Sequence, residues 1–318
     1  MDTSSLLQQL HSLPVVASPM FLASGVDLVV AQCKAGVVGT FPALNARPAA
    51  EFDRWIDRIK IALAAHDAAR PEHKAAPFGV NLILHKTNDR LQEDLEICAR
   101  QRVPIVITSV GNPAEVVKFV HGYGGLVFHD VINQRHARKA AAAGVDGLIL
   151  VCAGAGGHAG RLSPFALVGE VRRWYQGLVI LGGAISRGRD VLAARAMGAD
   201  LAYVGTRFLA TPEASIQDGY RQAIVEAGTE EIVYTDIFSG VHANFLRSSI
   251  KHAGLDADHL PARDAHGENF GSESMHQSKV WRDIWTAGHG VGSINAVLPT
   301  GELVRQMRQD YAAARAAL

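Results

Sequence analysis

Short apolar runs alternate with amphipathic, alanine-rich stretches along most of this chain. The runs are Val15–Met20, Gly36–Pro42, Phe78–Leu84, Val103–Val110, Gly125–Val131, Gly147–Cys152, Leu178–Ile185 and Leu201–Phe208. They are nearly continuous in apolar character, the pattern of strands buried on both faces. Between them, Glu51–Ala69 and Arg135–Ala143 read as helices. The phrases AAAGVDGLIL (141–150) and RAMGADLAYV (195–204) each read as a helix end, a glycine cap and the next strand.

Eight such units predict an α/β protein built as a (β/α)8 TIM barrel. An open doubly wound sheet would want GxGxxG after its first strand and an acid about 20 residues later. Met20 is followed instead by FLASGVD. After Thr211 the alternation fades. Residues 234–280 are rich in histidine, asparagine and serine and include the polar run DAHGENFGSESMHQSK at 264–279. Such a stretch is expected to be a long loop or small subdomain over the barrel mouth. The resulting division is a barrel over 1–211, a small inserted or appended substrate or lid domain over 212–295, and a C-terminal helix over 296–318 packed on the barrel.

Composition narrows the partners. Lys plus Arg total 31 and Asp plus Glu total 31, so no net charge draws the chain to nucleic acid or an anionic membrane. The hydrophobic share of 48% supports a sizeable core and argues against disorder. Cys33, Cys98 and Cys152 are widely spaced without CxxC, which argues against a disulfide framework and fits a reducing compartment. The opening MDTSSLLQQLHSL lacks the cationic lead of a signal peptide, and no apolar stretch reaches the ~18 residues of a membrane helix. A cytoplasmic protein with small-molecule partners is expected.

In a barrel, chemistry gathers just after the strands. The seventh run ends in LGGAISRG (181–188), and the eighth passes into GTRF (205–208). Glycine lets a ligand approach the backbone, and a following helix N-terminus offers N–H groups to a phosphate. Gly182, Gly183, Gly205 and Thr206 are thus a candidate phosphate cradle; the plainer alternative is that the glycines only make tight turns. CAGAGGHAG (152–160) surrounds His158 with small residues, where a neutral imidazole can act as general base. A lone loop histidine is ordinarily solvated or structural, and the glycine setting is what favours the catalytic role.

Asn81 interrupts the apolar FGVNLIL. A buried amide must be hydrogen-bonded, either to the edge of a heterocycle or to a neighbouring strand end. Met20 can pack against an aromatic cofactor or serve as plain core. Ser109, His129 and Asp130 are expected at the same mouth, while Cys152 reads as small packing. No HxH or HExxH spacing supports a metal, and no GxSxG elbow supports a serine hydrolase.

Taken in order, FGVNLIL, the AGGH loop, the GGAI strand end, GTRF and WTAGHGVGSI (285–294) resemble the nitronate monooxygenase family, formerly called 2-nitropropane dioxygenases. The similarity runs from about Val15 to Ile294. It implies FMN, with its phosphate on Gly182, Gly183, Gly205 and Thr206, with Met20 and Asn81 beside the isoalloxazine and Gly156 near its edge. It also implies that His158 takes the α-proton of a nitroalkane. Alkyl nitronates and O2 would be the substrates, carbonyl compounds and nitrite the products.

Three positions depart from the family pattern. Val151 stands where many relatives carry glutamine or aspartate, and His289 gives AGHG where AGQG is common. Asp130 stands where some carry lysine, and as an acid it would oppose an anionic reduced flavin. The same scaffold resembles FMN-type enoyl-ACP reductases and NADH:quinone reductases, and scaffold likeness does not separate these chemistries. From a different class, a barrel binding a phosphorylated metabolite, or flavin without turnover, is the remaining reading.

Overall fold

A computed structural model describes residues 1–260 and 283–318; the polar run at 264–279 lies outside the described residues. The strands are β1 (Val15–Ala17), β2 (Gly39–Pro42), β3 (Phe78–Ile83), β4 (Ile105–Ser109), β5 (Leu126–Val131), β6 (Gly147–Val151), β7 (Gly157–His158), β8 (Leu178–Gly182), β9 (Leu201–Val204), β10 (Ile232–Thr235) and β11 (Ala243–Leu246). All but β7, β10 and β11 form one parallel sheet in the order β1-β9-β8-β6-β5-β4-β3-β2. A parallel bridge between Val16 and Val38 joins its two ends, with Ala17 N–H donating to Val38 O at 2.8 Å. The sheet is therefore a closed barrel, and every apolar run of the sequence supplies one of its strands.

Closure gives each strand an inner and an outer face, and period-two alternation sorts residues between them. Ile105, Ile107, Leu126, Phe128, Ile149, Ile180, Leu201 and Tyr203 fill the interior. Val106, Val127, Leu148, Leu150, Val179, Leu181, Ala202 and Val204 pack outward under the helices. Both faces are apolar, so the runs look continuous. The helix α1 (Thr3–Gln9) stoppers the end where the strands begin, because its Leu6 and Leu10 join the interior cluster. Gln9 Nε2 donates to Ala75 O at 2.8 Å and holds the stopper in place.

The eighth run is shorter as a strand than the sequence predicts. Pairing with β1 ends at Val204, whose carbonyl accepts from Ser18 N–H, and Gly205 O accepts from Phe208 N–H at 2.8 Å. The chain thus turns into a one-turn helix, Thr206–Leu209.

The ring of helices contains α2 (Val26–Lys34), α3 (Ala49–Ala69), α4 (Leu91–Arg100), α5 (Ala114–Gly122), α6 (Gln134–Ala142), α7 (Pro164–Arg172) and α8 (Gly188–Ala196). The C-terminal helix Thr300–Ala316 packs against both α8 and α2, the place of the eighth barrel helix. Residues 205–299 are therefore inserted between the last barrel strand and its helix. Within this insertion β10 pairs antiparallel with β11, and β11 pairs with β7 from the loop after β6, setting Ala243 opposite His158. Strands of four residues and two leave too little pattern to be read as strands in advance.

Gly188 is where the C-terminal helix comes closest: a Cβ there would collide with Met307 O and Tyr311 N. Beside it, Arg189 Nη2 meets Asp310 Oδ1 at 2.9 Å. Gly188→Val should cost at least the ~1–3 kcal/mol of an overpacked core. Urea denaturation should show a lower midpoint, and an unchanged midpoint would contradict the seating of this helix.

Candidate active site at the barrel mouth

The ends of the barrel strands open into a cavity of about 1170 Å³. Met20, Asn81, Gly156, His158, Gly182, Gly183, Gly205 and Thr206, separated by up to most of the chain, all line it. Ser109, Asp130, Val151 and Tyr203 do so as well.

The glycines divide by what surrounds them. Gly183 has φ +142°, and a Cβ on it would lie 2.8 Å from Ala153 O. A Cβ on Gly156 would lie 2.8 Å from Gly288 N and 3.0 Å from Thr206 Oγ1. Glycine at 156 thus lets the 287–290 segment lie against this loop, where His289 N–H donates to Gly154 O and Gly288 N–H to Thr206 Oγ1, each at 2.9 Å. Gly182 is close to the Tyr203 ring, its Cβ position 3.3 Å from Cδ1. Gly205 differs. A Cβ there would sit in ordinary contact, 3.4 Å from Ser18 Cβ and 3.8 Å from Met20 Sδ, so the protein itself does not demand glycine at this position.

Helix N-termini contribute less than the sequence implies. The helix after Gly205 is a single turn. At α8, Asp190 Oδ2 already accepts from Ser186 N–H and Arg187 N–H at 3.1 and 2.9 Å. What remains for an anion is the turn backbone of Gly182–Gly183 and Gly205–Thr206.

His158 is held by two parts of the chain. Its strand β7 pairs with β11, and Nε2 lies 3.1 Å from Ser239 Oγ. Ser239 donates its own proton to Val241 O at 2.8 Å, so it accepts from the ring. This assigns the proton to Nε2 and leaves the lone pair on Nδ1. Asn244 Nδ2 and Tyr234 OH brace the same loop, donating to Ala155 O at 2.6 Å and to Ala159 O at 2.9 Å. Burial pushes His158 down to about 4, so the imidazole is neutral across the ordinary pH range.

Asn81 resolves between its two alternatives. Its Nδ2 donates to Ser109 Oγ at 2.8 Å and Ile107 O at 3.3 Å, both on β4. Its two donors are spent on the neighbouring strand, and only the amide oxygen is left to meet a ligand. Ser109 Oγ–H donates to Asp130 Oδ2 at 2.5 Å.

His129 does not join this group. Neighbours on a strand point to opposite faces, and its Nδ1 lies 2.7 Å from Thr108 Oγ1, although the residue lines the cavity together with His136 and Lys139. Burial, with a smaller push from His136, takes His129 down to about 4. Burial also lifts Asp130 to about 7, well above the range of an exposed carboxyl. Of the other departures, Val151 lines the cavity, whereas the His289 side chain is exposed.

Three positioning residues escape the sequence analysis. Asn45 ties down the loop bearing Met20, with Nδ2 donating to Met20 O and Ser24 O and Oδ1 accepting from Leu22 N–H. Ser239 carries no local signal, being 81 residues from its partner. Asn244 could have been found as Asn81 was, because it also breaks an apolar run, ANFL.

A profile of nitronate monooxygenases matches residues 4–310. The chain belongs to the nitronate monooxygenase family. Membership makes it an oxidoreductase and implies a flavin. It is 29% identical over 230 residues to a nitronate monooxygenase of Paraburkholderia phytofirmans, a match spanning 68% of this chain and 63% of that protein. It is 27% identical over 274 residues to (3aS,4S,5R,7aS)-5-hydroxy-7a-methyl-1-oxo-octahydro-1H-indene-4-carboxyl-CoA dehydrogenase of Mycobacterium tuberculosis, spanning 85% of this chain and 73% of that one. A nitroalkane oxidase from Streptomyces ansochromogenes shares the barrel fold, with a TM-score of 0.79 and 24% identity over 98% of this chain and 99% of that chain. No described helix of this family member is long and apolar enough to cross a membrane, and no described group of His, Cys, Asp and Glu could hold a metal ion.

The neutral state of His158 has a consequence for stability. Its folded value of about 4 lies below the ordinary 6.5, so the unfolded chain binds more protons between those values. Its contribution is complete above pH 6.5 and is lost as pH falls toward 4. Asp130, lifted from 3.8 to about 7, titrates in the opposite sense over the whole of this range, so a variant comparison isolates the imidazole. Relative to His158→Gln, the wild type should lose Tm across that window; parallel pH profiles would contradict the buried neutral ring.

Proposed function

We propose that this enzyme oxidises alkyl nitronates, and the neutral nitroalkanes from which they form, with O2 to carbonyl compounds and nitrite, using FMN. The observation that carries the reading is a neutral, oriented His158 facing the same cavity as the turn at Gly205. The turns Gly182–Gly183 and Gly205–Thr206 would hold the phosphate. Met20 and Gly156 would lie along the ring, and the Asn81 carbonyl would accept from it. Bound FMN supplies the electron acceptor and the reactivity toward O2.

His158 does the proton work. Its imidazole takes the α-proton of a nitroalkane while Ser239 fixes the orientation of the ring. Burial disfavours a lone imidazolium, and the nitronate anion formed beside it offsets that cost by direct attraction in a weakly polar site. A substrate that enters as the nitronate needs no such step. The described part of 212–295 acts as the substrate-facing unit in this reading, since it carries Ser239 and the strand β11 that hold His158.

A second reading is hydride transfer from NAD(P)H to a quinone or an enoyl thioester. Two observations favour it. The cavity of about 1170 Å³ exceeds the ~300–1,000 Å³ usual for one small ligand, and one relative is named a carboxyl-CoA dehydrogenase.

His158→Ala should retain flavin and nitronate turnover but lose about 10²–10⁴-fold on the neutral nitroalkane. Undiminished turnover of that substrate would remove the base. Gly205→Val adds a side chain at this turn and should lower the flavin content of the purified protein, which its absorbance reports. Anaerobic stopped-flow separates the two chemistries: bleaching by nitronate alone supports the oxidation, and bleaching by NADH alone supports the reductase.

A further inference from the structure

The inner wall of the mouth carries a buried acid that proton transfer at His158 does not use. Asn81, Ser109 and Asp130 stand at inward positions of β3, β4 and β5, joined by hydrogen bonds of fixed direction. Ile107 O can only accept, so the atom facing it at 3.3 Å is the amide nitrogen of Asn81, which also donates to Ser109 Oγ at 2.8 Å. The single proton of Ser109 is then committed to Asp130 Oδ2 at 2.5 Å. Oδ1 is left over. It is buried, has no hydrogen-bond partner among the described residues, and belongs to a side chain that lines the cavity.

No described cation pairs with this carboxyl. The titratable group facing it is Tyr203 of β9, whose phenol burial and the nearby acid both keep protonated. His129, its neighbour on β5, is turned to Thr108, and among the described residues Ser109 is the side chain that hydrogen-bonds it. A carboxylate here would be a desolvated charge without a counter-ion, which is costly. A carboxylic acid here is a donor waiting for an acceptor.

We propose that Asp130 works as a neutral carboxylic acid whose Oδ1–H donates a hydrogen bond to an acceptor atom on the heterocyclic ring held in the mouth. This rests on the reading that the mouth binds a flavin, a ring system with carbonyl and imine acceptors. The lift of Asp130 to about 7, caused by burial and resisted only by Ser109, agrees with the geometry. An acceptor in contact with Oδ1 favours the acid form further, so the value in the complex lies above that of the free protein. Flavin binding then takes up a proton above neutrality. Affinity is flat at lower pH and falls as pH rises past the free-protein value.

The test begins without cofactor. Infrared difference spectra of wild type against Asp130→Asn, titrated from about pH 5 to 9 around the value of about 7, should show a protonated carboxyl band that fades near neutrality. A carboxylate band already present at the acid end overturns the neutral acid, whatever the mouth binds. FMN titrations, read by fluorescence quenching, then test the donor. Wild-type affinity should weaken about tenfold per pH unit above the midpoint. Asp130→Asn keeps an N–H at the same place and should bind without that slope, while Asp130→Leu should bind about tenfold or more weakly throughout. The phosphate titrates alike in all three proteins, so the slope is read as a difference between them. Equal affinity in all three, or the wild-type slope in Asp130→Asn, overturns the donor and leaves the cofactor reading intact. FMN that binds none of them at any pH overturns both.

Discussion

The site depends on one constraint, the closure of the eight-stranded sheet between Val16 and Val38. A closed parallel barrel has no edge, so each strand is held on both sides and cannot slip. A slip of one residue would exchange the two faces. Asp130 would then lie under the helices and His129 in the mouth. Because the register is held, inward residues near the ends of β3, β4 and β5 meet as Asn81, Ser109 and Asp130, while β8 ends in Gly182 and β9 is followed directly by Gly205.

The scaffold was legible because a barrel writes its strands in continuous apolar runs and its ligand loops in glycine. The same reasoning named the residues that line the cavity, since position after a strand decides which side chains reach it. It did not reveal how they are held. Ser239 and Asn244 act on the His158 loop from far along the chain, and the strands that carry the contact are too short to leave a period. The stopper α1 has the same defect of length. Its two inward leucines look like any short amphipathic segment. The setting of Asp130 was hidden for another reason: composition shows a carboxyl, and only the fold shows that it is buried with no described counter-ion.

The loop after β6 belongs to two structures at once. It is a barrel loop by sequence and an edge strand of the small sheet by pairing. His158 therefore takes its depth from the barrel and its orientation from the insertion. Its two properties have separate origins. The neutral ring follows from being enclosed by both parts, whereas the choice of nitrogen follows from a single serine in the insertion. Asp130 has no comparable dependence, because its partners are all barrel residues.

The position of the C-terminal helix bears on the order in which the protein can be made. On a growing chain, α2 and α8 emerge first, and the helix that lies between them emerges after the whole of 205–299. Until then the wall of the barrel has a gap at Gly188, where bare backbone awaits the backbone of that helix. The strands that position His158 are thus synthesised before the scaffold can be sealed. Vectorial synthesis delivers the strands that support the His158 loop ahead of the helix that completes the barrel wall.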